Sequence, residues 1–313
     1  MFFLAIGLSA ETFRVHDTSI LKVNENGEKS SVQCGINSCI AIKLPEDMTF
    51  IQGLELSIKV PQIVSHWYNS VAWSFYNDIA PVPDEGVIDY SGSRINLDTF
   101  GTPLNVHIKI PLKKNHKIKK DAYSILLSEI PDCKNNIIFY RTQLVMKGAD
   151  EDIYDAKFDV SCKPIYIDKG KLNLQLKNTV EDAEIQSCTF YVDGKQWNEG
   201  DLLDIGNHTF SLVSDFYRNE VRSFIINQAK VSTLDISLRD IAPALRITCP
   251  ENSKIYLDNQ EIFENFDFYP VVSGEHTIKV VVGNYEVVKT VNVKNGRTYS
   301  VNVNVDALIE EEE

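Results

Sequence analysis

Histidine, serine and acidic side chains are the residues of this sequence that could perform acid–base or nucleophilic chemistry. The six histidines are scattered along the chain, and no Gly-x-Ser-x-Gly elbow accompanies them. Nucleophilic hydrolysis needs a serine or cysteine beside a positioned histidine and an acid, and the spacing indicates no such set. With 44 Asp and Glu residues, carboxylate pairs arise by chance, so none can be selected as a glycosidase pair. We therefore expect no catalytic residues and no enzyme activity.

The sequence also gives little sign of a metal or cofactor site. The six cysteines include no Cys-x-x-Cys pair, and no His/Cys cluster has zinc spacing. We expect no cofactor and no metal site, since a glycine-rich phosphate loop is also missing. The acidic loop 83–89 could hold calcium through oxygen ligands, but it lacks the alternation of a calcium loop, and a solvated loop is the favoured interpretation. Cys34 and Cys39 could bridge a turn, and the disulfide pattern stays open.

An aromatic cluster is the best candidate for a binding site. Five aromatic side chains fall within ten residues: Trp67, Tyr68, Trp73, Phe75 and Tyr76. Packing in the core of a β-sandwich is the favoured explanation. The alternative is an exposed surface made of Trp67, Tyr68, Trp73 and Tyr76, which would stack on sugar rings or form a protein hot spot.

Charge narrows the class of partner. The chain has 313 residues and a net charge of −13, which argues against general nucleic-acid binding and against attachment to an anionic membrane. The basic run 113–120 is an exception, favoured as a solvated loop, with a docking patch for an acidic partner as the alternative. No stretch approaches the ~20 apolar residues of a membrane span, so we expect no transmembrane segment.

Residues 1–10 resemble the back half of a secretory signal. They are apolar and end in Leu8, Ser9 and Ala10, small enough for a cleavage site, before the polar residue Glu11. A basic leader is missing, which suggests a start codon placed too late; a first buried strand is the alternative. We expect an exported protein, periplasmic or at the cell surface.

Alternation of apolar and polar residues predicts an all-β fold. It is clear at residues 54–60, 104–110, 172–176 and 299–305. The best helical candidate, residues 63–72, contains aromatics that suit a strand as well. Residues 11–168, punctuated by proline-bearing loops, fit one jelly-roll-like β-sandwich.

The remaining sequence contains two similar segments, 169–242 and 243–306. Asp193-Gly194 ends a strand in the first segment, and Asp258-Asn259 does so 65 residues later. His208 and His276 follow at equivalent strand starts, where we expect a structural role. Matching order and near-constant spacing predict a tandem duplication of small modules.

The second segment resembles the PEGA family. The resemblance rests on Pro250-Glu251, on the strand Ile255-Tyr256-Leu257-Asp258-Asn259, on Gly274-Glu275-His276-Thr277, and on Tyr285. Asn252 and Ser253 replace the family's Gly and Ala, and Asn284 adds one residue before Tyr285. The first segment is a degenerate copy without the Pro-Glu pair. The resemblance implies small β-sandwich appendages of bacterial envelope proteins and says little about chemistry.

A weaker resemblance covers the N-terminal block. Residues 44–53 look like those of uncharacterised exported spirochaete proteins, which carry no known activity. Together with an acidic tail at 307–313, these features predict a non-catalytic cell-envelope protein that acts as an interaction or scaffolding module. Its partner would be an envelope protein or polysaccharide. The alternative is a carbohydrate-binding protein that uses the aromatic cluster.

Overall fold

The computed structural model of the chain describes residues 10–148, 151–178, 184–263 and 268–304. The predicted leader 1–10, apart from Ala10, and the predicted acidic tail 307–313 lie outside the described residues. The chain divides into two compact units, residues 1–170 and 171–313. Both are built almost wholly from strands, which confirms the all-β expectation.

The first unit contains one short helix, two 3-10 turns and a series of strands. The helix is α1 (Gln62–His66), and the turns span Lys134–Asn136 and Glu151–Ile153. The strands are β1 (Glu11–Arg14), β2 (Thr18–Lys22), β3 (Ser30–Gly35), β4 (Cys39–Lys43), β5 (Ile51–Lys59), β6 (Val71–Ala80), β7 (Asp89–Arg94), β8 (Asp98–Thr99), β9 (Asn105–Pro111), β10 (Ser124–Leu126), β11 (Ile137–Leu144) and β12 (Lys157–Tyr166). Within the described ranges the five-residue α1 is the longest helix, too short to cross a bilayer.

These strands form two sheets. Sheet A has the order β1-β7-β6-β11-β4-β2, with β8 beside β6, and sheet B has the order β10-β9-β5-β12-β3. Most pairs are antiparallel, as the alternating sequence predicts. The pairs β2–β4 and β9–β10 are parallel, a departure from a purely antiparallel jelly roll.

The core lies between sheets A and B. In β5, Leu54, Leu56 and Ile58 are buried, while the residues between them face outward, as the alternation predicts. The start of β5 also needs a residue without a side chain. A Cβ atom on Gly53 would lie 2.3 Å from Ile118 Cδ1 and 2.7 Å from the Ile110 carbonyl oxygen.

The aromatic segment divides between two kinds of structure. Helix α1 ends at His66, where Trp67 has left the helical conformation, and β6 begins at Val71. Neither a helix nor a strand over the whole segment is therefore correct. Within β6, Trp73 and Phe75 point into the core, at 2% and 0% exposure.

The second unit contains two modules with the same strand order. The strands are β13 (Lys169–Lys177), β14 (Thr189–Val192), β15 (Lys195–Gln196), β16 (Leu202–Asp204), β17 (Gly206–Val213), β18 (Glu220–Ile226), β19 (Val231–Ser237), β20 (Ala244–Thr248), β21 (Lys254–Leu257), β22 (Gln260–Ile262), β23 (Tyr269–Pro270), β24 (Gly274–Val282), β25 (Tyr285–Val293) and β26 (Thr298–Asn302). The first module pairs sheet C (β16-β13-β19) with sheet D (β15-β14-β17-β18), and the second pairs sheet E (β23-β20-β26) with sheet F (β22-β21-β24-β25). Each has its own apolar core.

The first hairpin of each module is closed by two residues. Val192 pairs with Lys195, and Leu257 pairs with Gln260, so the connecting loops are Asp193-Gly194 and Asp258-Asn259. All four loop residues have positive φ, between 51° and 75°. Aspartate, asparagine and glycine tolerate this conformation best, and such loops match the twist of antiparallel strands.

Replacing Trp73 with alanine tests the packing of the aromatic segment. Trp73→Ala removes a side chain from the core and should lower the free energy of unfolding by about 3–5 kcal/mol. Tyr68, which is 58% exposed, is the matched control, and Tyr68→Ala should change it by no more than about 0.5 kcal/mol. Urea unfolding followed by circular dichroism measures both. Equal losses in the two variants would contradict the burial described for β6.

Candidate functional site

The four candidate aromatic residues do not form one surface in the structure. Trp73 lies in the core, and Tyr76 is 1% exposed on the opposite face of sheet A, where it packs against Phe13 and Phe139. The alternative of one exposed surface is therefore wrong for Trp73 and Tyr76, which both pack in apolar clusters. The cause is the place of β6, which lies inside sheet A between β7 and β11 and is covered on both faces.

The Tyr76 hydroxyl is hydrogen-bonded to two charged side chains, Glu11 and Arg141, on this face of sheet A. It donates to Glu11 Oε1 at 2.5 Å and accepts from Arg141 Nη1 at 3.1 Å. The Arg141 guanidinium carbon lies 4.1 Å from the centre of the Phe13 ring. Burial, together with the bond to Glu11, raises the pKa of Tyr76. These contacts hold β1, the edge strand of sheet A, to the inner strands β6 and β11.

Trp67 and Tyr68 remain near the surface at the end of α1. Trp67 is half-buried against the core of the first unit, and Tyr68 is exposed. Of the four candidate residues, this pair alone keeps access to solvent, and Tyr68 is the more exposed of the two. The sequence could not distinguish them, because Trp67 and Trp73 have the same parity but do not share a strand.

His276 and Asp258 form a hydrogen-bonded pair at the start of β24, which we call a His–Asp lock. Its Nδ1 lies 2.6 Å from Asp258 Oδ2, and its Nε2 lies 2.6 Å from the carbonyl oxygen of Val272. The amide of Thr277 donates to Asp258 Oδ1 at 2.8 Å. Both ring nitrogens therefore face acceptors, and the protonated imidazole is the form that satisfies both.

The first module contains the same lock. His208 Nδ1 lies 2.7 Å from Asp193 Oδ2, and its Nε2 lies 2.7 Å from the Asp204 carbonyl oxygen. Thr209 donates its amide to Asp193 Oδ1 at 2.9 Å. The Asp and His-Thr motifs shared by the two segments thus tie the hairpin loop to the neighbouring strand. With both ring nitrogens occupied, the histidine is not free to act as a catalytic base.

The locks shift the pKa of each partner. The backbone carbonyl, and then the carboxylate, raise the pKa of His276. For His208, burial alone lowers the pKa, but the bonds to the carbonyl and the carboxylate outweigh it and the pKa is raised. The threonine amide first, and the imidazole next, lower the pKa of both Asp193 and Asp258.

The outer face of sheet B carries rows of polar side chains across its strands. The middle row is His107, Ser57, Ser161 and Ser31, from β9, β5, β12 and β3. Longer side chains flank it, with Lys59 on one side and Glu55 on the other. Since serine is the shorter side chain, the middle row becomes the floor of a depression of about 400 Å³.

We call this depression the trough; its border is Lys29, Lys59, Asn105 and Asp159. The alternation at residues 104–110 puts His107 on the polar face of β9, where the structure has it, but the sequence did not indicate the trough. Alternation marks the outward positions of β5 and β9. It does not show that β12 and β3 continue the same face.

Ser57, His107 and Glu55 resemble a nucleophile, a base and an acid in type, but their geometry differs from a triad. Ser57 Oγ lies 3.0 Å from His107 Nδ1, and Glu55 Oε1 lies 3.9 Å from the same nitrogen. In a triad the acid holds one ring nitrogen while the other serves the serine. Glu55 also pairs with Lys163 at 3.4 Å. The row is therefore suited to binding by hydrogen bonds.

The acidic loop 83–89 does not gather its carboxylates. Asp89 accepts two hydrogen bonds from Arg14, both at 2.8 Å, and Asp84 lies 3.8 Å from Lys43. Among the described residues no group of three or more His, Cys, Asp or Glu side chains could hold a metal ion.

The six cysteines are all free. Cys34 faces the core between the sheets, whereas Cys39 belongs to the cluster on the other face of sheet A, so a bridge across their turn does not form. Burial raises the pKa of each of these thiols to about 12, which keeps them protonated and unreactive.

The basic run 113–120 forms an exposed connection between β9 and β10. Lys113 Nζ donates to the carbonyl oxygens of Met48 and Thr49, at 3.2 and 3.4 Å. Ile118 anchors the middle of the loop near Gly53. The run is thus held on the sandwich at several points, with Lys114 exposed among them.

Edge strand β25 is a further exposed feature. It is nine residues long and pairs with β24 alone. Tyr285 and Val288 are 69% and 50% exposed. Of its two charged residues, Glu286 pairs with Lys279 at 2.9 Å on the neighbouring strand, which leaves Lys289 as the other charge.

No protein-family model and no curated protein matches the sequence. Among solved structures, the TIE protein of Bacillus anthracis aligns with a TM-score of 0.27 and 10% identity, over 94% of this chain and 57% of that chain. The chain thus spans little more than half the length of that structure. The M60 catalytic domain of Clostridium perfringens ZmpB with its CBM51-1 and CBM51-2 domains aligns with a TM-score of 0.19 and 10% identity, over 83% of this chain and 24% of that chain. These values carry no argument about function.

The locks make the stability of the second unit depend on pH. The pKa of each histidine is raised above 6.5 in the folded protein. Each lock therefore stabilises the fold fully below pH 6.5, and this stabilisation is lost as the pH rises through the folded-state pKa. Lowered aspartate pKa values stabilise above 3.8, and that contribution is lost as pH falls. The histidine and aspartate contributions to stability are both complete between pH 3.8 and pH 6.5. Because the carboxylates are half exposed, each lock should contribute about 1 kcal/mol.

The variant His208→Gln/His276→Gln should flatten the decline in stability above pH 6.5. Urea unfolding between pH 5 and 9, with Trp197 fluorescence for the first module and proton NMR of the ring for both, provides the measurement. The exposed His16 gives a control, and His16→Gln should leave the profile unchanged. Ring pKa values at or below 6.5 in the folded protein would refute the lock.

Proposed function

We propose that this chain is a non-catalytic, exported cell-envelope protein that binds another protein through its C-terminal β-modules. The single observation that carries the proposal is the open edge of β25. An exposed edge strand offers a row of backbone donors and acceptors to which an extended segment of a partner can add. The partner is then an extended, weakly charged segment of an envelope protein.

The backbone of β25 is free on the side turned away from β24. Among the described residues no hydrogen bond reaches that side of the strand. Natural edge strands are usually protected by charges, proline or short length. This one has nine residues, no proline and one charge outside an ion pair. It therefore lacks the ordinary devices that prevent pairing.

The equivalent strand of the first module is protected. In β18, the Val221 carbonyl accepts from Arg222 Nη1 at 3.0 Å, and the Ile225 carbonyl accepts from Ser232 Oγ at 2.8 Å. Both acceptors would otherwise be open to a partner strand. The two modules share one strand order but differ in this edge, which favours the second module as the docking element.

The proposal has two further parts, which are export of the chain and the family of its C-terminal modules. Residues 1–10 resemble part of a secretory signal, and residues 243–306 resemble the PEGA family, with 169–242 as a degenerate copy. The equal strand orders and the paired histidine locks support duplication of one module. Small β-modules of this kind suit a scaffolding role in the periplasm or at the cell surface. The absence of catalysis is part of the proposal, supported by the occupied histidines.

Carbohydrate binding is the second candidate. The observation that favours it is the exposure of Tyr68 beside the half-buried Trp67. This pair is the part of the predicted aromatic surface that could stack on a sugar ring. Retention on envelope polysaccharide that is lost in Tyr68→Ala would support this candidate over the first.

Adding a charge to each edge strand tests the proposal. Val288→Lys in β25 should abolish recovery of a defined partner from a cell-envelope extract, because a lysine on an edge opposes strand addition. Val221→Lys in β18 is the matched control, since Val221 is 60% exposed on the equivalent strand. It should recover the partner as well as the unaltered chain does.

Affinity purification with quantitative mass spectrometry measures both variants, and thermal unfolding verifies that each is folded. A partner that binds all three chains equally would overturn the assignment to β25. Recovery of polysaccharide without any protein would move the function to the second candidate.

A further inference from the structure

The trough on sheet B contains hydrogen-bonding groups that the fold does not use. Among the described residues no carboxylate pairs with Lys29 or Lys59, and no partner reaches His107 Nε2. The side chain of His107 is 41% exposed, so this nitrogen is accessible. Asn105 is also exposed beside it. The trough thus offers lysine and amide donors on its border and an unused ring nitrogen on its floor.

Its floor is rich in hydroxyl groups held in fixed positions. Ser57 Oγ bonds to the imidazole of His107 at 3.0 Å, and Ser161 Oγ donates to the Ser57 carbonyl oxygen at 3.2 Å. Ser31 continues the row on the next strand. Because these side chains lie on paired strands, their spacing is set by the sheet. A rigid array of hydroxyls is suited to a ligand that itself carries several hydroxyls.

The charge of the trough has the opposite sign to that of the chain. Lys29 and Lys59 contribute two positive charges, and Asp159, whose Oδ1 accepts from Gln33 Nε2 at 3.0 Å, contributes one negative charge. The chain as a whole carries −13. Two unpaired lysines above a hydroxyl floor would attract an anionic group and leave the hydroxyls to recognise the remainder of the molecule.

We propose that the trough is a binding site for a small polyhydroxylated anion, a sugar that bears a carboxylate or a phosphate. In this site the lysines bind the anionic oxygen atoms, and His107 and the serine row bind the sugar hydroxyls. The volume of about 400 Å³ accommodates a monosaccharide or a short saccharide. The site is separate from β25 and does not depend on the function proposed above.

Three probes distinguish this site from a general polar surface: glucuronate, glucose 6-phosphate and glucose. Titration of the full chain by calorimetry and by NMR should show binding of at least one of the two anions, about tenfold tighter than glucose. Which anion binds tighter identifies the carboxylate or the phosphate as the natural group. Rising salt concentration should weaken the binding of the two anions and leave the binding of glucose unchanged.

The variant Lys29→Gln/Lys59→Gln should reduce the affinity for the anion about tenfold. Lys114→Gln, a substitution at an exposed lysine of the basic loop, is the matched control and should bind as the unaltered chain does. The proposal is overturned if neither anion binds at about 10 mM, if glucose binds equally well, or if Lys114→Gln loses as much affinity as the double variant.

Discussion

Each sheet of this protein must bury one face, and that requirement decides which side chains remain for binding. In the first unit, sheets A and B share one core, and a second apolar cluster, which includes Phe13, Tyr76 and Phe139, lies on the other face of sheet A. Sheet B alone presents a broad polar face, on which the trough lies. Trp73 and Tyr76 are used for packing, and Tyr68 is left exposed.

The small modules meet the same requirement with fewer residues. Each has about 70 residues and one small apolar core, so polar contacts at the loops matter more than they would in a large domain. The His–Asp locks supply such contacts and fix the hairpin register. This accounts for the recurrence of the motif in both segments without any chemistry. Variation is then possible at the edges, where β18 is protected and β25 is open.

Much of the fold could be predicted from the sequence, because alternation with period two reports burial directly. It identified β5, β9, β13 and β26, and the Asp-Gly and Asp-Asn loops identified the hairpins. Strand order could not be predicted, since pairing joins residues far apart in the chain. For that reason Trp73 and Tyr76 were candidates for the surface until β6 was known to lie inside sheet A. The trough depends on four strands from separate parts of the chain and was likewise hidden.

Strand addition at β25 is the proposed means by which the chain binds its partner. Hydrogen–deuterium exchange of the full chain, with and without the partner recovered from the envelope, tests it most directly. We expect the amides of β25 that point away from β24 to exchange rapidly in the free chain and to become protected on binding, while those of β18 do not change. Protection confined to residues 10–170, with β25 unaltered, would contradict it.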